Sequence, residues 1–219
     1  RRQRQMCIRD SYQLVEDLVK PTGGKVLTMT PAYGFFLHAC EYNGVELVTS
    51  PLRKEHGRFE VDWADLEKKA ADPAVKVLML CNPHNPTGRV WTRQELEGVA
   101  EICLRHNIFM LVDEIHCDFV PPEHPHTTFG LLGEEVLRHS MVCYSSNKGF
   151  NLGGLGMATL VLADDDLRCK FNEEMSIAQT RLDNIFGMAA LIAAYNDGEE
   201  WLDQAIAYVS DNKAYLDQC

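Results

Sequence analysis

The sequence predicts an α/β fold of three layers, with helices on both faces of a mainly parallel central sheet. Three observations carry this expectation. Short, continuous apolar runs such as Lys76–Cys81 and Ile108–Val112 are of the kind buried on both faces of a parallel sheet. Amphipathic helical stretches stand between them, which is the βαβ order. Polar and reactive residues cluster directly after the apolar runs, where ligands lie in such sheets.

In chain order, residues 12–19 read as the tail of a helix, ended by Pro21 and the Gly23-Gly24 pair. Lys25–Thr30 is a short strand. Pro31 is expected at the first position of a helix that runs to about Asn43 and stops at Gly44. Val45–Thr49 is a second strand. A helix over Asp62–Ala71 has Asp62 as its cap. After the Lys76–Cys81 strand, Thr92-Arg-Gln-Glu95 is a capping box whose helix reaches about His106. Ile108–Val112 is the next strand, and 117–131 is a loop bearing Pro and His. Ser140–Ser145 and Met157–Leu162 complete the strands, and the chain is mostly helical from Asp164 onward.

The 219 residues are 46% hydrophobic and 24% charged, which is a globular composition large enough for one good core. A net charge of −11 repels phosphate backbones, so no nucleic-acid partner is expected. No apolar run approaches the roughly 18–20 residues of a membrane span, and the start carries no secretory signal. The cysteines include no Cys-x-x-Cys pair, which gives no indication of a metal site. Several lie in apolar runs and read as small buried hydrophobes in a reducing, cytoplasmic compartment. Residues 1–11 (RRQRQMCIRDS) lack periodicity and resemble a translated adapter rather than native chain. At the other end the helical pattern stops without a cap. Both features point to a fragment.

Four strand ends carry candidate chemistry. Asn82-Pro-His-Asn-Pro-Thr-Gly88 is a stiff turn that could hold Asn85 for a fixed hydrogen bond. Asp113, in Val112-Asp-Glu-Ile-His116, stands at the end of a buried strand. A buried Asp needs a partner or takes up a proton, and a protonated ring nitrogen on a cofactor would be such a partner. The alternative for Asp113 is a cap on the next segment, and His116 alone is more simply a packed or solvated histidine. Lys148, in Ser145-Ser-Asn-Lys148, follows an apolar strand beside small residues; partial desolvation there would suit a Schiff-base nucleophile, against the alternative of a surface lysine. Tyr33 could stack on a planar ligand or simply pack.

The order Tyr, Asn, Asp, Lys, with TPAYGFF (30–36), CNPHNPTGRVWTRQEL (81–96), DEIHCDFV (113–120), SSNKGFNLGGL (145–155) and AAYNDGEEWLD (194–203), resembles fold-type I pyridoxal-phosphate enzymes of the aminotransferase class I/II family. It looks most like the cystathionine β-lyase branch. The resemblance covers residues 12–219 and implies a cofactor-binding large domain over 12–200 that lacks its N-terminal part. It makes 201–219 the start of a helix leading to an absent C-terminal small domain.

It also implies roles. Lys148 forms the Schiff base and moves protons at Cα. Asp113 pairs with the pyridinium nitrogen, Asn85 and His116 lie at the ring 3-oxygen, Tyr33 stacks on the ring, and Ser145 helps bind phosphate. His116 stands where many aminotransferases carry Tyr, and residues 149–163 lack the Arg many of them use for phosphate. The implied reaction is α,β-elimination, in which an amino acid such as cystathionine gives a thiol, pyruvate and ammonia. Aminotransfer is the alternative, and a regulatory protein with a protein partner is a second one, because the branch contains one such modulator. Family members are homodimers with sites at the interface.

Overall fold

The computed structural model describes residues 19–177 and 184–218; the expectations for residues 1–11 and for a helix tail before Val19 lie outside them. Strand β1 (Lys25–Thr30) leads to helix α1 (Gly34–Asn43) and strand β2 (Glu46–Pro51). A polar hairpin of β3 (Arg53–Glu55) and β4 (Arg58–Glu60) precedes α2 (Trp63–Ala70), β5 (Val75–Cys81), α3 (Arg93–Arg105) and β6 (Phe109–Asp113). Then come α4 (Glu134–Arg138), β7 (Ser140–Tyr144), the short α5 (Ser146–Gly149) and β8 (Thr159–Leu162). Helices α6 (Asp165–Ile177), α7 (Ile185–Asp197) and α8 (Glu199–Leu216) end the chain.

The six-stranded sheet runs β2-β1-β5-β6-β7-β8, parallel throughout except for the antiparallel β7–β8 pair. Alternation along each strand separates two cores. Leu27, Met29, Leu78, Leu80, Met110, Val112 and Val142 pack on one face against Leu66 and Ala70 of α2 and Leu96, Val99 and Cys103 of α3. Val26, Val77, Met79, Leu111, Met141 and Cys143 pack on the other against Phe36, Ala39 and Cys40 of α1 and, from α6, Leu167 and Phe171. This is the expected three-layer fold. Both faces are covered, which is why β5 and β6 read as unbroken apolar runs rather than as alternating ones.

Local signals behave as their chemistry dictates. Asp62 caps α2 by accepting from the Asp65 N–H, and Thr92 and Glu95 complete the capping box of α3. Gly44 ends α1 in the left-handed conformation (φ 63°) that glycine adopts without steric cost. Cys40, Cys81, Cys103 and Cys143 are buried and form no disulfide, as their apolar settings imply.

Pro31 is a correction. It lies in a bend after β1 and outside α1, which begins at Gly34 with Tyr33 as an extended N-cap. Two further elements, the β3–β4 hairpin and α4, carry too few apolar residues to announce themselves.

Thr92→Ala removes the hydroxyl half of the capping box, the acceptor for the Glu95 N–H, and leaves the Thr92 backbone N–H to Glu95 bond. It is expected to cost about 1 kcal/mol and to lower the melting temperature by roughly 2–4 °C for a chain of this size, measurable by thermal circular dichroism.

Candidate active site

The carboxyl ends of the three central strands are level: Cys81 pairs with Asp113, and Asp113 with Cys143. The segments that follow therefore emerge side by side. These are Asn82–Gly88, Glu114–His116 and Ser145–Lys148.

The first segment is held by its own bonds. The His84 N–H donates to Arg89 O (2.7 Å) and the Gly88 N–H to His84 O (2.8 Å), while the His84 ring meets Thr87 Oγ1 at 2.8 Å. That ring lies edge-on to Trp91, with the Arg89 guanidinium 4.4 Å over the same indole. Burial, then the Arg89 charge, pull the His84 pKa down to about 4, so the ring is neutral. Asn85 is half-buried within this rigid turn.

Asp113 is 5% exposed. Its one side-chain hydrogen bond among the described residues comes from the Ile115 N–H (3.2 Å). Burial raises its pKa to about 7, assisted by the Glu114 charge and opposed by the Ile115 N–H and the Lys148 charge. The capping and buried-acid expectations for Asp113 thus both hold. His116 is half-buried. Burial, then the Lys148 charge, hold its pKa below the usual histidine value and favour the neutral ring. Asp113, His116 and Lys148 therefore share one electrostatic neighbourhood.

Two expectations need adjustment. Lys148 is exposed rather than partly desolvated, because α5 turns Ser146 and Gly149 inward and Lys148 outward. Ser145 is buried, and its hydroxyl serves the chain itself, donating to Met157 O and accepting from the Asn147 N–H. Tyr33 is half-buried, 5.2 Å from the Phe35 ring and edge-on to Phe36 at 6.0 Å, beside the face to which Asp113 belongs.

The sequence reading missed a second tier of residues. The Tyr195 hydroxyl donates to Asp118 Oδ2 (2.8 Å), joining α7 to the loop after His116. Gly149, next to Lys148, admits Asp118 so closely that a Cβ there would stand 2.9 Å from Asp118 Cβ. A cleft of about 470 Å³ opens beside the strand ends, lined among others by Asp118, His126, Tyr144, Ser145 and Tyr195. A larger cleft of about 690 Å³, between the β3–β4 hairpin and Arg93, contains none of the expected site residues except the flanking Thr87-Gly88 turn. Buried Glu114 also belongs to this tier. Its signal in the sequence was alternation, which puts neighbours of Asp113 on the opposite face.

The expected cofactor can be tested against these groups. Asp113 is a buried acid with, among the described residues, no cationic side chain hydrogen-bonded to it. A protonated ring nitrogen would supply the missing cation and return the carboxyl to its ionised form. Lys148 is an accessible amine nearby, and Asn85 sits in a fixed turn on the adjacent segment. The residues fit pyridoxal phosphate.

A β6 acid, a turn lysine after β7 and an Asn-Pro turn after β5, on this sheet order, define a pyridoxal-phosphate-type α/β fold. The chain belongs to the aminotransferase class I and II family, which matches residues 9–218. It is 37% identical over 190 residues to the cystathionine β-lyase PatB of Bacillus subtilis (strain 168), covering 87% of this chain and 49% of that protein. It is 34% identical over 211 residues to protein MalY of Escherichia coli (strain K12), covering 93% and 52%. Among solved structures it matches the pyridoxal-phosphate-bound C–S lyase of Staphylococcus hominis with a TM-score of 0.88 at 31% identity, covering 96% of this chain and 52% of that one. The chain thus spans about half the length of the relatives it matches.

Two outcomes follow. The Asp113 pKa of about 7 in the fold lies above the ordinary value of 3.8. Between those values the unfolded chain loses this proton first. Cofactor-free protein should therefore lose stability as pH rises from about 4 to about 7 and level off above. Asp113→Asn should remove that component, a difference on the order of 2–4 kcal/mol at pH 8, read from urea unfolding at several pH values. Gly149→Ala should displace Asp118 and break its bond to Tyr195, costing about 1–3 kcal/mol in the same assay.

Proposed function

We propose that the full-length protein is a pyridoxal-phosphate-dependent carbon–sulfur β-lyase of the cystathionine β-lyase type. It would cleave cystathionine or another L-cysteine S-conjugate to a thiol, pyruvate and ammonia. The observation that carries this reading is the buried, cation-lacking Asp113 beside the exposed Lys148 at level strand ends. The similarity to a cystathionine β-lyase and a C–S lyase supports the choice of reaction.

When bound, pyridoxal phosphate supplies a sink for the electron pair released at the substrate α-carbon. The rest is the work of the chain. Lys148 Nζ would hold the cofactor as a Schiff base and would be the base that takes the proton from the substrate Cα. Asp113 would keep a proton on the ring nitrogen, Asn85 and neutral His116 would serve the ring 3-oxygen, Tyr33 would stack on the ring, and Ser145 would help bind the phosphate. On this reading residues 12–200 would belong to the cofactor-binding domain, and α8, which begins at Glu199 rather than at 201, would lead out of it toward a small domain. The protein works as a homodimer in the cytoplasm; the buried cysteines, which form no disulfide, support a reducing compartment. Aminotransfer is the second reading, supported by the family itself.

The test uses the reading frame completed from the source DNA. Borohydride reduction followed by peptide mass mapping is expected to find a pyridoxyl group on Lys148. Incubation with cystathionine is expected to release pyruvate and ammonia without a keto-acid acceptor. Folded, cofactor-supplemented protein with no adduct at Lys148 would overturn the site. Acceptor-dependent turnover alone would move aminotransfer to first place.

A further inference from the structure

Glu114 is 0% exposed. Its Oε1 accepts from Asn82 Nδ2 (2.7 Å) and from the Phe129 N–H (2.8 Å). Its Oε2 lies 3.3 Å from His126 Nε2, an ion-pair separation without hydrogen-bond alignment. The Tyr144 hydroxyl meets the same carboxylate. Asn82 also donates to Thr127 O (2.9 Å). One carboxylate thus ties together the turn that carries Asn85, the loop that follows His116, and the end of β7 just ahead of Ser145 and Lys148.

A carboxylate taken wholly out of water costs several kcal/mol unless an opposite charge answers it. His126, its side chain 11% exposed, is the basic side chain in contact with Glu114 among the described residues, and it carries a positive charge when protonated. Asp113 and Glu114 are consecutive and, by alternation, serve opposite faces. Asp113 would meet the ligand, while Glu114 reaches back into the loops that frame it.

We propose that Glu114 is a positioning residue and His126 its counter-ion, a buried pair that holds the three strand-end segments so that Asn85, Asp113 and Lys148 converge on one ligand. The proposal rests on the site reading above. The pair also acts through charge. The titratable groups facing Glu114 are Asp113, Cys117, His126 and Tyr144, and its negative charge pushes Asp113, Cys117 and Tyr144 toward their protonated forms. Neutralising either member should therefore move proton equilibria at the site in opposite senses, which a merely structural pair would not do.

The test is made on full-length, cofactor-loaded protein. Glu114→Gln keeps the volume and an acceptor oxygen for Asn82 and Phe129 but removes the charge. His126→Gln removes the cation and leaves the charge unanswered. Glu114→Gln should retain pyridoxal phosphate and lower kcat by roughly tenfold, the effect of losing a group that orients ligating side chains, with KM nearly unchanged. The pH midpoint of the bound cofactor's visible absorption should fall in Glu114→Gln and rise in His126→Gln. Unchanged kcat and midpoint in both variants would overturn the proposal. So would shifts of the same sign, or failure of both variants to fold, which would make the pair structural only. If one variant fails to fold, the other alone decides by the sign of its shift. Lys148→Ala, mapped in parallel after borohydride reduction, separates the two readings: an adduct persisting elsewhere would sink the site assignment whatever Glu114 does.

Discussion

The level carboxyl ends of β5, β6 and β7 are the constraint on which the rest of this molecule depends. Parallel pairing sets Cys81, Asp113 and Cys143 abreast, and three loops far apart in sequence then have no choice but to start at one place. The two cores on either side fix the height of those ends, because each strand is wedged by side chains of both parities. Chemistry is thereby delegated to short loops on a rigid base, the arrangement that lets α/β folds place ligands beyond the strand ends.

Burial at that rim has a price in charge. Two consecutive acids, Asp113 and Glu114, are both taken out of water, and they are answered differently. Glu114 is answered from within, by Asn82, the Phe129 N–H and His126. Asp113 is left with one backbone donor and a raised proton affinity. Of the two buried acids, Glu114 is satisfied by several donors, while Asp113 has one backbone donor and the Lys148 charge, so its carboxyl is the one whose proton affinity burial raises.

Much of this was legible in the sequence. The strands announced themselves because a sheet covered on both faces needs unbroken apolar runs, and the caps of α2 and α3 because Asp62, Thr92 and Glu95 have few other uses at those spacings. The positions of Asp113 and Lys148 relative to their strands were also readable. What the sequence could not express was direction. Lys148 and Gly149 are adjacent letters, yet the turn of α5 buries one and exposes the other. The bond from the Ser145 hydroxyl to the Met157 carbonyl, twelve residues on, likewise exists only once the loop has folded back. Pro31 looked like a helix opener because its immediate neighbours suit one, whereas the chain bends there and starts α1 only at Gly34. Glu114 and His126 are ordinary residues in a polar stretch, and their pairing exists only once the loop has folded back.

The reversal of β8 has a consequence for Lys148. Because β8 runs antiparallel to β7, Tyr144 and Thr159 are paired neighbours, and residues 145–158 form a closed loop clasped at its base by sheet bonds. A parallel successor would have required a long crossover and a far looser tether. The amine therefore sits on a short lever hinged at both ends. Both ends of the loop that carries Lys148 are thus fastened to the sheet, which keeps this side chain close to the strand ends.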